Sequence, residues 1–376
     1  MDTDTRIALK EGTLLRVYNK DGRAEAVYTI RDVLGRGRTG IVYNASYIDN
    51  AGCEHIVRIK ECYPFHIDLT RDDAGRLIAD EKDRMDFQEC RKKLEESFRV
   101  NNELFHTDGL TNLISNTMNW YEANNTSYVI STYMQGSVLS CETAGTIKDC
   151  VSIVKSVAAA IQKMHEKGFL YLDIKPENIL VLHGTAQMVQ LFDFDALIPI
   201  SEIGKPGGAD RYRISYTVGF AALEQQRGLF RKLGKYTDVF GIGALLFYLL
   251  FGRTTEAPDC ETDAEYRFNQ CRFAGQDYQD KLFQALPDFF HHTLASYWMD
   301  RYQDMEQVIR KLEEIEKYAD TVVPFLISSQ IDRPPVLVGR EKELEALDSW
   351  MGQKESNSLF LTGMGGSGKR ALVRAY

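Results

Sequence analysis

Residues 171–181 read Tyr171-Leu172-Asp173-Ile174-Lys175-Pro176-Glu177-Asn178-Ile179-Leu180-Val181. Transfer of a phosphoryl group needs a carboxylate that accepts the hydroxyl proton, a cation beside the γ-phosphate and an amide oxygen for a metal. Asp173, Lys175 and Asn178 offer these three groups within six residues. Such a set in one short segment predicts a phosphoryl-transfer loop.

A second acidic segment follows and reads Leu191-Phe192-Asp193-Phe194-Asp195. Asp193 comes directly after an apolar run that is typical of a strand. Mg²⁺ prefers oxygen ligands and shares them with phosphates. Asp193 is therefore a candidate Mg²⁺ ligand, and Asn178 is a candidate second one.

A glycine-rich segment near the N-terminus reads Gly35-Arg36-Gly37-Arg38-Thr39-Gly40-Ile41-Val42. Glycines let the backbone approach phosphates closely. Similar spacing occurs in the first turn of dinucleotide-binding βαβ units, and an ordinary hairpin turn is a further alternative. The residues after Gly40 read as a strand and not as a helix, which favours a loop that covers phosphates between two strands.

A lysine ends the next predicted strand, which reads Val57-Arg58-Ile59-Lys60. A single lysine at a strand end is usually solvated. Its position twenty residues after Gly40 instead favours a role in which the ammonium group contacts the α- and β-phosphates of a nucleotide.

The predicted elements divide the chain into parts of different character. Strand-like runs at 27–62 and 112–134 flank a charged helix at about 85–105. Helical patterns follow at 149–167, 237–251 and 261–318. Residues 319–335 contain three prolines and read as a linker.

Together these motifs resemble the Hanks-type protein kinases over residues 27 to about 317, and residues 60–136 are similar to a group of bacterial serine/threonine kinases. The resemblance implies an α+β, two-lobed protein kinase fold. A small antiparallel β-rich N-lobe with one main helix would occupy residues 27–135, and a larger α-helical C-lobe would occupy residues 136–318. Residues 1–26 would form an N-terminal extension.

The resemblance also implies roles, with ATP and Mg²⁺ as cofactors and serine or threonine residues of proteins as acceptors. Asp173 would be the catalytic base, and Lys175, which is typical of the serine/threonine type, would contact the γ-phosphate. Ser131 would be the gatekeeper residue. The residues implied to bind the cofactors are Gly35, Gly37, Gly40, Val42, Lys60, the backbone of Thr132 and Met134, and the metal ligands Asn178 and Asp193.

Two motifs depart from the family pattern. Tyr171-Leu172 stands where His-Arg is usual, so a phosphorylated activation segment would lack an arginine partner. Asp195 stands where glycine is usual, which should stiffen the turn and add negative charge near the metal.

A third departure concerns the helix position whose glutamate usually pairs with the lysine that corresponds to Lys60. Alignment with the family places Asn101 at this position, and Glu96 and Glu103 are alternatives in a different register. An asparagine could hydrogen-bond the lysine without the charge-assisted strength of a carboxylate.

Three further positions are implied to have structural roles. Thr217 would contact the catalytic loop, and Glu224 would pair with Arg301. Asp238 would cap the buried helix and support the catalytic loop.

The segment 336–376 has a different signature. The run Leu359-Phe360-Leu361 precedes Gly363-Met364-Gly365-Gly366-Ser367-Gly368-Lys369-Arg370, which fits a P-loop, although a glycine-rich loop of other purpose is the alternative. Arg370 stands where serine or threonine normally holds Mg²⁺. Residues 338–344 resemble the start of AAA-like or STAND-type NTPase modules. We expect the truncated start of an α/β P-loop domain, with an NTPase or sensor region in a longer protein.

Composition limits the possible partners and locations. A net charge of −9 and a pI near 5.4 argue against a general nucleic-acid binder. The seven scattered cysteines favour reduced thiols over a zinc site or disulfides. The N-terminus lacks the apolar stretch of a signal peptide, and the longest apolar run, 241–252, is too short to span a membrane. We expect a cytoplasmic protein with no membrane segment in this chain.

Three hypotheses follow. The first is an active serine/threonine kinase, because the base, the lysines and the metal ligands are all present. The second is a pseudokinase that binds nucleotide and regulates an attached NTPase, which the departures at Tyr171, Leu172, Asp195 and Asn101 favour. In a third reading the NTPase is the effector and the kinase lobe is its sensor.

Overall fold

The computed structural model of this chain describes residues 4–18, 24–107, 110, 113–182, 188–205, 216–276, 278–320, 339–351, 361–363, 367, 369 and 372–373. The chain divides into two compact units, residues 1–321 and residues 322–376. The first unit consists of a β-rich lobe followed by a helical lobe.

The β-rich lobe is built on a six-stranded antiparallel sheet. Its strands are β1 (Leu14–Tyr18), β2 (Ala24–Arg36), β3 (Gly40–Ile48), β4 (Glu54–Cys62), β7 (Thr117–Ala123) and β8 (Thr126–Thr132). They are ordered β1-β2-β3-β4-β8-β7. The lobe also contains the hairpin β5 (Leu69–Arg71) with β6 (Leu77–Ala79) and the long helix α1 (Arg84–Phe105).

The sheet begins upstream of residue 27, where the sequence analysis placed the start of this lobe. Leu15 and Val17 of β1 are buried while Leu14 and Tyr18 are exposed, and Leu15 pairs with Tyr28 of β2. A five-residue strand gives too short a periodic signal to be recognised. Part of the predicted N-terminal extension is therefore an edge strand of the sheet.

The helical lobe surrounds one central helix. Its helices are α2 (Ile147–Glu166), α3 (Leu223–Gln226), α4 (Lys235–Phe251), α5 (Asp280–His291) and α6 (Met305–Tyr318). All side chains of α4 from residue 237 to residue 247 are buried, and a Cβ added at Gly243 would lie 2.3 Å from Thr293 Oγ1. No side chain fits at this position, which explains why a glycine stands in the middle of this apolar helix.

Short strands in the helical lobe carry the acidic segments of the sequence. They are β9 (Gly136–Val138), β10 (Phe169–Leu170), β11 (Ile179–Leu182), β12 (Val189–Leu191) and β13 (Ile198–Pro199). A three-stranded sheet has the order β12-β11-β9, and β10 pairs with β13. The structure thus confirms a β-rich lobe with one main helix and a larger helical lobe.

The second unit contains the helix α7 (Glu341–Met351) and a few further described residues. Several positions of the predicted P-loop lie outside the described residues, namely 336–338, Leu359, Phe360, Met364, Gly365, Gly366, Gly368 and Arg370. The α/β P-loop fragment therefore stays a prediction.

No helix in the described part of the chain combines the length and the apolar character needed to cross a membrane.

Arg6 fastens the segment before β1 to the end of the glycine-rich hairpin. Its guanidinium donates to the carbonyl oxygens of Tyr63 and Gly40, the latter at 3.4 Å. It also lies over the rings of Tyr63 and Phe65, at 5.8 and 5.6 Å from the centroids. Arg36 in turn donates to the Arg6 carbonyl oxygen at 2.6 Å. The N-terminal segment is therefore tied to the strands that flank the glycine-rich turn.

Replacement of Arg6 by alanine is expected to lower the free energy of unfolding by about 2 kcal/mol, because buried carbonyl oxygens lose a charged donor. Urea denaturation measures the change. Arg31→Ala is the matched control, since Arg31 forms an exposed ion pair with Glu54 whose loss should cost less than about 1 kcal/mol. Equal losses in the two variants would contradict the anchoring role of Arg6.

Candidate active site

The segment after β10 is held in a bent conformation without a glycine. Leu172 has φ 63°, a left-handed conformation that costs an L residue about 1–2 kcal/mol. The Leu172 amide donates to Asp238 Oδ1 at 2.7 Å, and its carbonyl oxygen accepts from Gln225 Nε2 at 2.6 Å. Two buried side chains therefore hold the strained bend. The role of Gln225 could not be predicted from the sequence, because a glutamine beside Glu224 gives no signal of a contact with a distant loop.

Asp238, in the first turn of α4, is the second anchor of this segment. Its Oδ2 accepts from the Tyr171 amide at 3.0 Å and lies 2.7 Å from His165 Nε2. The implied support of the catalytic loop is therefore present. The implied helix cap is different, because Thr237 Oγ1, and not Asp238, accepts from the Gly234 amide at the start of α4.

Asp173 lies at the centre of a hydrogen-bonded cluster. Lys175 Nζ contacts both of its carboxylate oxygens, at 3.0 and 2.8 Å. Asn178 Nδ2 donates to Asp173 Oδ2 at 2.7 Å, and Thr217 Oγ1 lies 3.4 Å from Oδ1. The predicted base, lysine, amide and threonine are thus brought together.

The second acidic segment is bonded to the first. Asp193 follows β12 and has φ 64°, a conformation that aspartate tolerates better than most residues. Tyr171 Oη donates to the Phe192 carbonyl oxygen at 2.8 Å, and the Phe192 amide donates to the Asn178 carbonyl oxygen at 3.0 Å. Tyr171, at the position of the usual histidine, therefore joins the two segments.

Lys60 of β4 lies between two carboxylates of the second segment. Its Nζ is 3.0 Å from Asp193 Oδ1 and 2.6 Å from Asp195 Oδ2. Burial lowers the pKa of Lys60, but Asp193 and Asp195 outweigh this effect and hold the lysine pKa above its usual value. The negative charge of Asp195 is therefore balanced by Lys60.

The pKa values of the two carboxylates beside Lys60 are shifted in opposite directions. Burial raises the pKa of Asp193, and the charge of Asp195 raises it further, so that Lys60 does not restore the usual value. Burial also raises the pKa of Asp195, but Lys60 and the hydroxyl groups of Thr39 and Ser97 outweigh burial and leave this pKa below its usual value. Asp195 is the more firmly ionised of the two.

The residue of α1 that faces this charge cluster is Ser97, and the expectation for Asn101 is wrong. Ser97 Oγ lies 3.4 Å from Asp195 Oδ1. Asn101, four residues later, is buried, and its Oδ1 accepts from Thr117 Oγ1 at 2.6 Å. An alignment error of about one helical turn accounts for the difference.

The alternatives Glu96 and Glu103 do not pair with the lysine either. Both are exposed, and within the described residues the ion pairs of Lys60 are formed with Asp193 and Asp195. The helix therefore supplies no carboxylate to Lys60.

The glycine-rich segment forms the turn between β2 and β3. A strand follows Gly40, so the dinucleotide-binding alternative, which requires a helix there, does not apply. The Gly37 amide donates to the Gly40 carbonyl oxygen at 2.9 Å, and a Cβ at Gly40 would lie 2.1 Å from the Glu61 carbonyl oxygen. A Cβ at Gly35 would meet open space, and Val42 of β3 pairs with both Gly35 and Lys60.

The segment after β8 corresponds to the predicted hinge. Ser131 pairs in register with Arg58 of β4, and the Thr132 amide donates to the Asn116 carbonyl oxygen at 3.1 Å. Arg58 lies over the ring of Tyr133 at 5.5 Å, and burial lowers its pKa. An arginine next to the predicted gatekeeper was not anticipated, because strand-face assignments need the sheet register.

The charges of the site fit a divalent cation. Asp173, Asp193 and Asp195 contribute three negative charges, and Lys60 and Lys175 contribute two positive ones, which gives a formal charge of −1. In the described ranges, no group of three or more His, Cys, Asp or Glu side chains is arranged to hold a metal alone. A cation would therefore need nucleotide phosphates to complete its coordination, as Mg²⁺ commonly does.

The pattern described as "Protein kinase domain" matches residues 28–312. The chain belongs to the protein kinase domain family. The two lobes are therefore the N-lobe and the C-lobe of a protein kinase fold.

Curated relatives include several named kinases, one of which is named a serine/threonine-protein kinase. Myosin light chain kinase family member 4 of Homo sapiens is 23% identical over 280 residues, which are 72% of this chain and 62% of that protein. Calcium/calmodulin-dependent protein kinase type 1 of Caenorhabditis elegans is 23% identical over 281 residues, 71% and 69% of the two chains. Serine/threonine-protein kinase ppk6 of Schizosaccharomyces pombe is 28% identical over 174 residues, 43% and 20% of the two chains. The chain thus spans less than two thirds of the human and fission-yeast proteins.

Two solved structures share the kinase fold. One is described as "PpkA-294 apo form", with a TM-score of 0.58, 23% identity and coverage of 82% of this chain and 99% of that one. The other is the kinase domain of Mycobacterium tuberculosis PknI, with a TM-score of 0.51, 18% identity and coverage of 82% and 100%. By the family match, residues 28–312 are a protein kinase domain.

Proposed function

We propose that this kinase domain is catalytically active and transfers the γ-phosphoryl group of Mg-ATP to serine or threonine hydroxyl groups of protein substrates. The observation that carries the proposal is the bond of 3.0 Å between the Phe192 amide and the Asn178 carbonyl oxygen. This bond joins the cluster around Asp173 to the segment of Asp193, and the Asp193 carboxylate contacts Lys60. This link between the proposed base, the proposed metal ligands and the lysine supports an active site at this position.

Asp173 would accept the proton of the substrate hydroxyl group. Lys175 and Asn178 both donate to its carboxylate, so the base is held in one orientation. The Lys175 ammonium group would also face the negative charge of the γ-phosphate, where a fixed cation stabilises the transition state. Thr217 lies 3.3 Å from Lys175 Nζ and steadies the same cluster.

The remaining residues would hold the nucleotide. The turn at Gly35, Gly37 and Gly40 would cover the phosphates, and Lys60 would contact them from β4. Val42 would pack beside the nucleotide, while the Thr132 carbonyl group and the Met134 amide would bind the adenine edge. The residues proposed to bind the nucleotide are therefore Gly35, Gly37, Gly40, Val42, Lys60, Thr132 and Met134.

Mg²⁺ fits the oxygen atoms of Asn178 and Asp193. Because the Asn178 nitrogen donates to Asp173, its oxygen is the atom that a metal would use. Bound there with ATP, the ion would supply charge neutralisation on the phosphates.

The alternative is a pseudokinase that regulates an attached module. Leu172 favours it, because no arginine precedes Asp173 to bind a phosphorylated activation segment. The contact of Asp195 with Lys60 removes one argument for it, since the additional charge has a partner in the site.

A second module is also part of the proposal. Residues 336–376 would begin a P-loop NTPase of AAA-like or STAND-type kind, as a partner region of the kinase domain. Lys369 Nζ donates to the Gly363 carbonyl oxygen at 2.7 Å, so the lysine contacts the first glycine of the predicted P-loop, which supports this reading.

A cytoplasmic location fits the cysteine chemistry. None of the seven cysteines, all of them in the described ranges, forms a disulfide bond. Thiols that are not joined in disulfide bonds are typical of reducing compartments.

Incubation with γ-labelled ATP, Mg²⁺ and a serine- and threonine-rich peptide mixture tests the activity. The wild type is expected to label serine or threonine, and Asp193→Ala is expected to lose at least about 10²-fold of the rate, because the metal contribution of several kcal/mol is lost. Chelation of Mg²⁺ should abolish labelling. Asp320→Ala removes a distant, exposed carboxylate and should label as the wild type does. Nucleotide binding without any transfer in the wild type would support the pseudokinase instead.

A further inference from the structure

Lys60 has no glutamate partner on α1, where protein kinases usually supply one. Its ion pairs among the described residues are with Asp193 at 3.0 Å and Asp195 at 2.6 Å. At the point where α1 faces the pair, the helix presents the hydroxyl group of Ser97. The carboxylates that reach the lysine therefore come from the segment after β12.

Asp195 connects three separate parts of the N-lobe. Its Oδ2 accepts from Lys60 Nζ of β4 at 2.6 Å and from Thr39 Oγ1 in the glycine-rich turn at 2.6 Å. Its Oδ1 lies 3.4 Å from Ser97 Oγ of α1. Short bonds to an ionised acceptor are among the stronger hydrogen bonds in proteins. One carboxylate thus links the lysine, the phosphate-covering turn and the helix.

The backbone accommodates a side chain at residue 195. The positive φ of this segment belongs to Asp193, at 64°, and Asp195 has none. The left-handed conformation that favours glycine is therefore not needed at 195. An aspartate can occupy this position and direct its carboxylate towards Lys60.

We propose that Asp195 is a positioning residue for phosphoryl transfer, which replaces the missing carboxylate of α1. It fixes the Lys60 ammonium group beside the phosphate site and, through Thr39, draws the glycine-rich turn towards the same point. The inference rests on the proposed kinase activity. It also implies that Lys60 is positioned without an ion pair to α1.

The test measures kcat and KM for ATP in the wild type and in variants that move the carboxylate. Asp195→Gly restores the family pattern and is expected to lower kcat about 10²-fold, the effect of misplacing a reacting group by about 1 Å. Asp195→Asn keeps the shape of the side chain but not its charge, and its kcat should lie between those of the wild type and Asp195→Gly. The double variant Ser97→Glu/Asp195→Gly should recover at least about tenfold over Asp195→Gly, because a carboxylate then reaches Lys60 from α1.

Rescue by Ser97→Glu separates positioning from a structural role, because a side chain that only supports the turn would not be replaced from a helix. Melting temperatures show whether each variant is folded. If Asp195→Gly is not folded, the kcat of Asp195→Asn tests the positioning role instead. Asp320→Gly is the matched control and should match the wild type.

The outcomes distinguish the two proposals. An active wild type with an equally active Asp195→Gly variant, or a double variant no better than Asp195→Gly, would overturn the inference and leave the kinase activity intact. A wild type that transfers no phosphoryl group would refute the proposed function, and the inference with it.

Discussion

Replacement of Asp173 by asparagine is expected to lower kcat for phosphoryl transfer by about 10²–10⁴-fold, the usual contribution of a positioned general base. Asparagine has nearly the same shape, but it cannot take the proton from the substrate hydroxyl group. The contacts of Asp173 are with Lys175, Asn178 and Thr217 and not with Lys60. KM for ATP should therefore change much less than kcat.

Steady-state kinetics with a serine peptide measure the effect of this substitution. Glu177→Gln is the matched control, because Glu177 is an exposed carboxylate in the same loop and should be replaceable with little loss of kcat. If Asp173→Asn kept more than roughly a tenth of wild-type kcat, proton transfer to this residue would not limit the reaction. The proposed role of Asp173 would then be wrong, although the other groups could still bind nucleotide.

The catalytic loop was predictable because its groups are close in sequence. Asp173, Lys175 and Asn178 share one segment whose local geometry keeps them in contact, at 2.7–2.8 Å for the shortest pairs. A motif of this kind carries its own spacing, so the residue types and their order suffice to predict the cluster. The structure brings together the residues that the sequence analysis grouped.

The partner of Lys60 was not predictable in the same way. It depends on how α1 is rotated relative to the sheet, and a shift of one helical turn exchanges Ser97 for Asn101. It also depends on a contact between Lys60 and Asp195, which are 135 residues apart. Neither the helix rotation nor such a long-range contact leaves a periodic signal in a single sequence.

The bend at Leu172 shows a similar limit. A leucine gives no indication of a left-handed conformation, since such strain persists only where the surroundings impose it. Asp238 and Gln225 impose it here through the two backbone groups of Leu172, across 66 and 53 residues of sequence. The residue types of the loop could be predicted, but the groups that hold its shape required the fold.

The ion pair between Glu224 and Arg301, implied by the family resemblance, is present and fully buried, with both side chains 0% exposed. Two bonds join them, Arg301 Nη1 to Oε1 at 2.8 Å and Nη2 to Oε2 at 3.1 Å. Arg301 Nε also donates to the Ala295 carbonyl oxygen at 2.7 Å, and Thr237 Oγ1 donates to Glu224 Oε1 at 3.0 Å. Every strong contact of the pair is therefore made inside the C-lobe.

Replacement of Arg301 by methionine is expected to lower the free energy of unfolding by about 3–5 kcal/mol, because Glu224 is left as a buried charge without a positively charged partner. Urea denaturation measures the loss. Arg301→Lys should lose less, since lysine keeps the charge but cannot form both bonds. The double variant Glu224→Met/Arg301→Met should also lose less than Arg301→Met, because it leaves no uncompensated charge.

The exposed pair of Arg310 and Glu306 supplies the control, and Arg310→Met should cost less than about 1 kcal/mol. A similarly small loss in Arg301→Met would show that the buried pair does not stabilise the lobe.

The Arg301→Met variant should also affect catalysis below its melting temperature, since Glu224 adjoins Gln225, whose amide holds the Leu172 carbonyl group. A displaced Gln225 would loosen the bend before Asp173, so kcat should fall together with stability, and the double methionine variant should recover part of both.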